Sequence, residues 1–215
     1  MNKEFLRCYF IAGPQNFPGL SIWEAQEKIV LIMKSGVTAY QFRDKGTVYQ
    51  NDRQRLELAQ SLRDTARKLG IPFIVNDDVG LAITLKADGV HLGQNDEKLS
   101  DARQKVGRSM IIGLSVNNAT ELAKAQESQA DYLGVGPVYP TLTKTDATHP
   151  IGVQELGKMM PQNHLPIVGI GGIGLSVLPE LVHIGIDGIA VISLLTGSNH
   201  PDTVAKTVLD TFKAH

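Results

Sequence analysis

The sequence predicts an α/β protein, a closed parallel (β/α)8 barrel of eight strands that occupies residues 1 to 215 as one domain. Three observations predict it. Eight short apolar runs recur along the chain, segments of helical period separate them, and no composition break or long linker interrupts the alternation. An open, doubly wound sheet is the alternative. Its nucleotide-binding signature is missing, because "GIGGI" lacks the G-x-G-x-x-G spacing and comes late in the chain.

The runs are "CYFIAG" from Cys8, "AYQFRD" from Ala39, "PFIVND" from Pro72, "GVHLG" from Gly89, "MIIGLSV" from Met110, "DYLGVGPV" from Asp131, "PIVGIGGI" from Pro166 and "GIAVIS" from Gly188. Each has the length of a buried strand, is rich in Val and Ile, and ends in Gly or polar residues, as strands covered on both faces do. Helices are expected between them. Residues 52 to 69 set Leu56, Ala59, Leu62, Ala66 and Leu69 on one stripe, and Gly70 is suited to end that helix in a left-handed conformation. Asn118 with Glu121 reads as a capping box, and Ser176 opens a stretch whose Leu178, Leu181 and Val182 share a face before Gly185.

Composition narrows the function. The formal net charge is −1 and 42% of residues are hydrophobic, so no bulk positive charge draws the chain to nucleic acid. Cys8 is the only cysteine, which rules out an intramolecular disulfide and thiolate metal clusters and fits a reducing cytoplasm. No stretch approaches the roughly 18 apolar residues of a spanning helix, and the N-terminus lacks a secretory apolar core. No membrane partner is expected. The sequence permits a homo-oligomer without specifying one.

In barrels of this kind ligands sit at the C-terminal ends of the strands, so the polar residues closing each run are the candidates. The second run ends in Gln41, Arg43 and Lys45, the third in Asn76, Asp77 and Asp78, and the fourth leads to Gln94 and Asp96. The fifth carries Ser115, the sixth leads to Thr141, Thr143 and Lys144, the seventh ends in Gly171 and Gly172, and the eighth in Ser193. Asp77 and Asp96 suit Mg2+, which takes one or two carboxylates and completes its shell with water and phosphate oxygens. The competing reading has Asp77 and Asp78 capping the next helix.

Arg43 and Lys45 alternate along the second run and are expected to point the same way, surrounding a diphosphate together with Lys144. A surface ion pair with Asp44 is the plainer use of Arg43. Gly172 is expected to let the backbone approach a phosphate that a Cβ would obstruct, with Thr141 and Thr143 adding hydroxyl donors. The histidines are dispersed without ligand spacing, and His91 reads as a satisfied core residue. No G-x-S-x-G, H-E-x-x-H or P-loop motif is present, so hydrolase and P-loop NTPase chemistry drop out.

Taken in order and spacing, "YQFRDK", "IVNDD", "DGVHLGQND", "GPVYPTLTK", "VGIGGI" and "DGIAVIS" resemble the thiamine phosphate synthase family over nearly the whole chain. The resemblance implies a TIM barrel and a Mg2+-assisted transferase that joins hydroxymethylpyrimidine diphosphate to a thiazole phosphate, releasing diphosphate. It implies that Gln41, Phe42, Arg43, Asp44 and Lys45, with Asn76, Ser115 and Lys144, hold the pyrimidine diphosphate. Among these Arg43, Lys45, Lys144 and Ser115 are the catalytic set, and Asp77 and Asp96 are the metal ligands. Thr141, Leu142, Thr143, Gly172, Ile192 and Ser193 would meet the thiazole phosphate. Asp44 departs from the family pattern, which more often has glutamate there, and Leu142 offers only backbone contacts.

Departure of diphosphate from a methylene whose aminopyrimidine ring stabilises the cation, followed by attack of the thiazole nitrogen, needs no protein nucleophile. Charge neutralisation and alignment suffice. Two rivals remain: a thiazole tautomerase-like barrel, which would not need diphosphate cations or Mg2+, and a phosphorylated-ligand sensor without catalysis. The stretch from Thr141 to Pro150 has a composition that permits a mobile lid.

Overall fold

The computed structural model describes residues 3–45, 48–141 and 149–214. Every expected run contains a strand: β1 (Cys8–Ala12), β2 (Ala39–Phe42), β3 (Phe73–Asn76), β4 (Gly89–Leu92), β5 (Ile111–Val116), β6 (Tyr132–Val135), β7 (Ile167–Ile170) and β8 (Gly188–Val191). They pair in parallel in chain order, and β1 also pairs with β8, so the sheet closes and has no edge. The helices are α1 (Ile22–Met33), α2 (Asp52–Leu69), α3 (Val79–Leu85), α4 (Leu99–Val106), α5 (Ala119–Gln126), α6 (Val153–Met159), α7 (Leu178–His183), α8 (Ser193–Thr196) and α9 (Pro201–Lys213).

Strand side chains alternate, and the alternation divides the apolar residues into two cores. Tyr9, Ile11, Ala39, Ile74, Tyr132, Val168 and Ala190 fill the inside of the barrel. Strand residues of the other parity, among them Phe10, Tyr40, Phe42, Phe73, Val75, Val90 and Leu92, belong to the larger outer core. Both faces of most strands are thus largely apolar toward the base, which is why the runs read as nearly continuous.

Local signals set the helix ends, with two corrections to the sequence reading. Asn51 Oδ1 accepts from the Gln54 N–H to open α2, and Gly70 closes it at φ 70°. The stripe that α2 buries is Leu58, Ala59, Leu62 and Ala66; Leu56 is half-buried and Leu69 is exposed. Asn118 caps α5 as expected, while the Glu121 carboxylate reaches back to the Asn117 N–H. Ser176 does not open α7. A 3-10 turn at Leu175–Val177 precedes it, and Pro179 lies in its first turn, where a missing N–H costs no hydrogen bond.

The base of the barrel is sealed by a repeated device. Asp88, Asp131 and Asp187, each standing just before an even-numbered strand, accept from the N–H of Phe73, Ile112 and Ile167 at 2.9, 2.7 and 2.8 Å. Thr38 Oγ1 does the same for the Cys8 N–H at 2.9 Å. Each thereby satisfies a donor at the start of the preceding strand, the first residue of β1, β3 and β7 and the second of β5. A 3-10 turn at Lys3–Leu6 covers the opening, so close to β8 that a Cβ on Gly188 would lie 1.8 Å from the Leu6 carbonyl oxygen.

Candidate active site

At the opposite end, the strand C-termini surround a cavity of about 260 Å3. Strand alternation decides which side chains reach it. Gln41, Asn76, His91 and Ser115 stand on the inward positions of β2 to β5 and line it, together with Arg43, Lys45, Asp77 and Asp96 from the loops that follow.

The charged residues form one wall. The Lys45 ammonium lies 2.5 Å from Asp77 Oδ2. Asp77 adopts φ 61°, a left-handed backbone that is rare outside glycine, asparagine and aspartate, and its N–H donates to the His91 carbonyl of β4 at 2.8 Å. Asp96 folds back onto its own loop, where Oδ2 accepts from the Gly93 N–H at 2.6 Å; a Cβ on Gly93 would sit 2.8 Å from that oxygen. Partial burial, and then the nearby Asp77, push the Asp96 carboxyl above its ordinary value, while the Gly93 N–H and Lys45 oppose the rise. Two neighbouring carboxylates with an ammonium already on one of them fit a hard divalent cation. Among the described residues no cluster of three or more metal-ligating side chains is present, so such an ion would draw its remaining ligands from water and substrate.

The aspartates after β3 have separate roles. Asp78 caps α3, Oδ1 accepting from the Leu81 N–H at 2.8 Å, and leaves Asp77 to face the cavity. Arg43 and Asp44 divide likewise. Asp44 turns away from the cavity toward α2, where Arg55 donates to it through Nε at 2.6 Å and Nη2 at 3.3 Å. The third arm of the Arg55 fork, Nη1, reaches Asp78 Oδ2 at 2.9 Å. One guanidinium therefore ties the loop that carries Arg43 and Lys45 to the cap beside Asp77, and the two carboxylates, Asp44 first, hold it above its ordinary pKa. Arg43 itself lines the cavity and, among the described residues, has no carboxylate partner.

Within residues 41 to 45, Gln41, Arg43 and Lys45 line the cavity, while Phe42 and Asp44 do not. Phe42 is fully buried in the outer core, and Asp44 belongs to the Arg55 clamp. Strand alternation sends every second side chain outward, which accounts for Phe42.

Across the cavity the wall comes from the ends of β6 to β8 and the loops after them. Thr141, Gly172, Ile192 and Ser193 line it, with Ser193 beginning the four-residue α8. The local backbone also requires glycine at position 172. A Cβ there would lie 2.5 Å from the Pro140 carbonyl oxygen and 2.7 Å from Tyr139 Cβ, and φ is +65°. Contact with the loop after β6 and the left-handed backbone require glycine at that position. Leu142, Thr143 and Lys144, and with them most of the expected lid, lie outside the described residues.

On the floor, His91 is the buried, hydrogen-bonded residue expected, and with Tyr132 and Tyr9, which sequence reasoning did not single out, it joins Ser115 to Gln41. His91 Nδ1 is 2.9 Å from the Tyr132 hydroxyl, and Nε2 is 3.0 Å from Ser115 Oγ. Tyr132 OH is 2.9 Å from Tyr9 OH, which accepts from Gln41 Nε2 at 2.8 Å. Burial pushes both phenols up, so each keeps its proton. The signal was present in "GVHL": His91 alternates with Val90 and Leu92, so it shares the face of Gly89 and not that of the apolar pair.

A closed parallel barrel with cations, paired carboxylates and a glycine-built turn on one rim defines a TIM-barrel enzyme, its chemistry at the C-terminal face. The family described as thiamine monophosphate synthase matches residues 8–195. A thiamine-phosphate synthase of Lactococcus lactis subsp. cremoris is 58% identical over 203 residues, covering 94% of this chain and 93% of that protein. One from Bacillus velezensis is 40% identical over 207 residues, covering 96% and 90%. The solved thiamine phosphate pyrophosphorylase from Pyrococcus furiosus superposes with a TM-score of 0.85 at 32% identity, covering 99% of this chain and 98% of that one. The chain belongs to the thiamine monophosphate synthase family. Orotidine 5'-phosphate decarboxylase from Pyrococcus horikoshii OT3, at 14% identity and TM-score 0.65, with 95% of this chain and 99% of that one covered, shares the barrel alone.

Proposed function

We propose that the chain condenses hydroxymethylpyrimidine diphosphate with the thiazole phosphate to give thiamine phosphate and diphosphate, with the charged wall receiving the leaving group. The observation that carries this reading is Arg43, a guanidinium lining the cavity with no carboxylate partner among the described residues. Such a group requires an anion, and a diphosphate supplies several charges and the planar oxygens that match its fork.

Ionisation of the carbon–oxygen bond leaves a cation on the pyrimidine methylene and charge on the diphosphate. Arg43 and Lys45 stabilise that developing charge from one side, and Lys144 is assigned the same task by family resemblance. Asp77 and Asp96 would hold Mg2+, which would neutralise diphosphate charge when bound. Gln41, Asn76 and Ser115 orient the pyrimidine from the inward strand positions. Thr141, Gly172, Ile192 and Ser193 hold the thiazole phosphate on the far wall, leaving its ring nitrogen beside the methylene. No nucleophile from the protein is called for.

The test mixes the full-length protein with both substrates and Mg2+ and measures thiamine phosphate and released diphosphate. Formation of both, abolished by EDTA, is expected. Product that survives EDTA would remove the metal role from Asp77 and Asp96, and binding without product would favour a sensor. Rearrangement of a thiazole carboxylate phosphate in place of condensation would favour the tautomerase reading.

A further inference from the structure

The chain of hydrogen bonds across the barrel floor has a direction that its end groups dictate. The Gln41 amide nitrogen only donates, so the Tyr9 oxygen accepts from it. Tyr9 has one proton, and its other hydrogen-bond partner is the Tyr132 hydroxyl. With Tyr9 only 1% exposed, reversing that bond would bury an unpaired hydroxyl proton, which costs about 1–3 kcal/mol. Tyr9 therefore donates to Tyr132. Tyr132, fully buried, must in turn send its own proton to His91 Nδ1.

A neutral imidazole that accepts at Nδ1 carries its proton on Nε2. That N–H donates to Ser115 Oγ, and the Ser115 hydroxyl proton is left for a ligand in the cavity. The opposite tautomer would reverse the last bond and make Ser115 the donor to His91, the arrangement of an activated nucleophile. Protonated His91 would likewise turn the chain around and orphan the Tyr9 proton. The rings are held in place by missing side chains: a Cβ on Gly113 would sit 2.2 Å from Tyr132 Cζ, and one on Gly134 would sit 2.9 Å from His91 Cε1.

We infer that His91 and Tyr132 are positioning residues that lock the Ser115 hydroxyl as a hydrogen-bond donor to the bound pyrimidine diphosphate. The inference rests on the proposed condensation for the identity of that ligand. The direction of the chain does not.

Heteronuclear NMR of the full-length protein labelled in its histidine rings reads the tautomer without substrate, with His91 assigned by loss of its signals in His91→Gln. The expected pattern is a protonated Nε2 and a bare Nδ1 at neutral pH; a protonated Nδ1, alone or with Nε2, would overturn the inference. Tyr132→Phe should mix the tautomers and lower turnover roughly tenfold, the worth of one oriented hydrogen bond. Tyr9→Phe removes a hydroxyl from the same chain yet should keep the Nε2 proton, because Tyr132 still has His91 to donate to. In a Ser115→Ala background Tyr132→Phe should cost no further turnover. Equal slowing in both backgrounds would mean a general packing effect and sink the assignment. Failure of the wild-type chain to form product would contradict the proposed reaction, while the tautomer would still decide the direction.

Discussion

The two ends of the barrel use the same residue for opposite purposes. At the base, Asp88, Asp131 and Asp187 each complete a strand by accepting an N–H from its first two residues. At the rim, Asp77 and Asp96 complete no strand; Asp77 holds Lys45, sits in a left-handed backbone and faces the cavity, and Asp96 is pushed up partly by its neighbour. The difference teaches that strand polarity assigns the role. An aspartate before a parallel strand meets an orphaned donor, whereas one after it meets whatever occupies the mouth. In barrels of this class stability collects at one end and chemistry at the other.

The largest expected effect lies at the rim. Arg43→Ala should lower turnover at least 100-fold, the scale of removing one electrostatic contact to developing charge, with the melting temperature held within about 2 °C. A melting temperature that falls in step with turnover would break the contrast between the ends. Arg55 joins structure to chemistry and should show both effects. Arg55→Ala leaves Asp44, whose side chain is 7% exposed, without its partner. The expected loss is about 2 kcal/mol in chemical unfolding, with turnover down roughly tenfold as the Arg43 loop and the Asp77 cap lose their common tether. Arg55→Lys should not restore turnover, because a single ammonium cannot replace the fork.

The smallest effect belongs to Cys8, which begins β1 at the base. Burial pushes its thiol from 9.0 up to about 12. The folded state thus holds a proton that the unfolded chain releases first. Stability linked to this group is complete below pH 9 and declines as pH rises from 9 toward 12. Thiol labelling at pH 8 should follow global unfolding, with no fast phase in the native protein; prompt native-state labelling would refute the burial argument.

Most of the architecture was legible because each strand is short, apolar on both faces and ended by polar residues, and because Gly70 and Asn118 act through local geometry alone. Ser176 misled because it falls inside the 3-10 turn at Leu175–Val177, which precedes the helix. At the rim, charge at strand ends was enough to single out Arg43, Lys45, Asp77 and Asp96, all of which line the cavity. Phe42 and Asp44 were grouped with them because contiguous sequence hides alternation, and the partner of Asp44 is on α2, eleven positions further along the chain. That His91 lines the cavity was hidden by apolar neighbours that point the other way. The bond directions around it depend on contacts among β1, β2, β4, β5 and β6, which no local pattern encodes.

The most direct measurement compares Asp77→Asn with Asp131→Ala, recording turnover and melting temperature for both. Asparagine tolerates the left-handed backbone of position 77, so Asp77→Asn should keep its melting temperature and lose turnover by roughly 100-fold. Asp131→Ala removes the acceptor for the Ile112 N–H and for Arg103 Nη2, so it should cost about 2 kcal/mol, or roughly 5 °C, with turnover per folded molecule unchanged. Parallel losses in both variants, or the reverse assignment, would contradict the account of a structural base and a chemical rim.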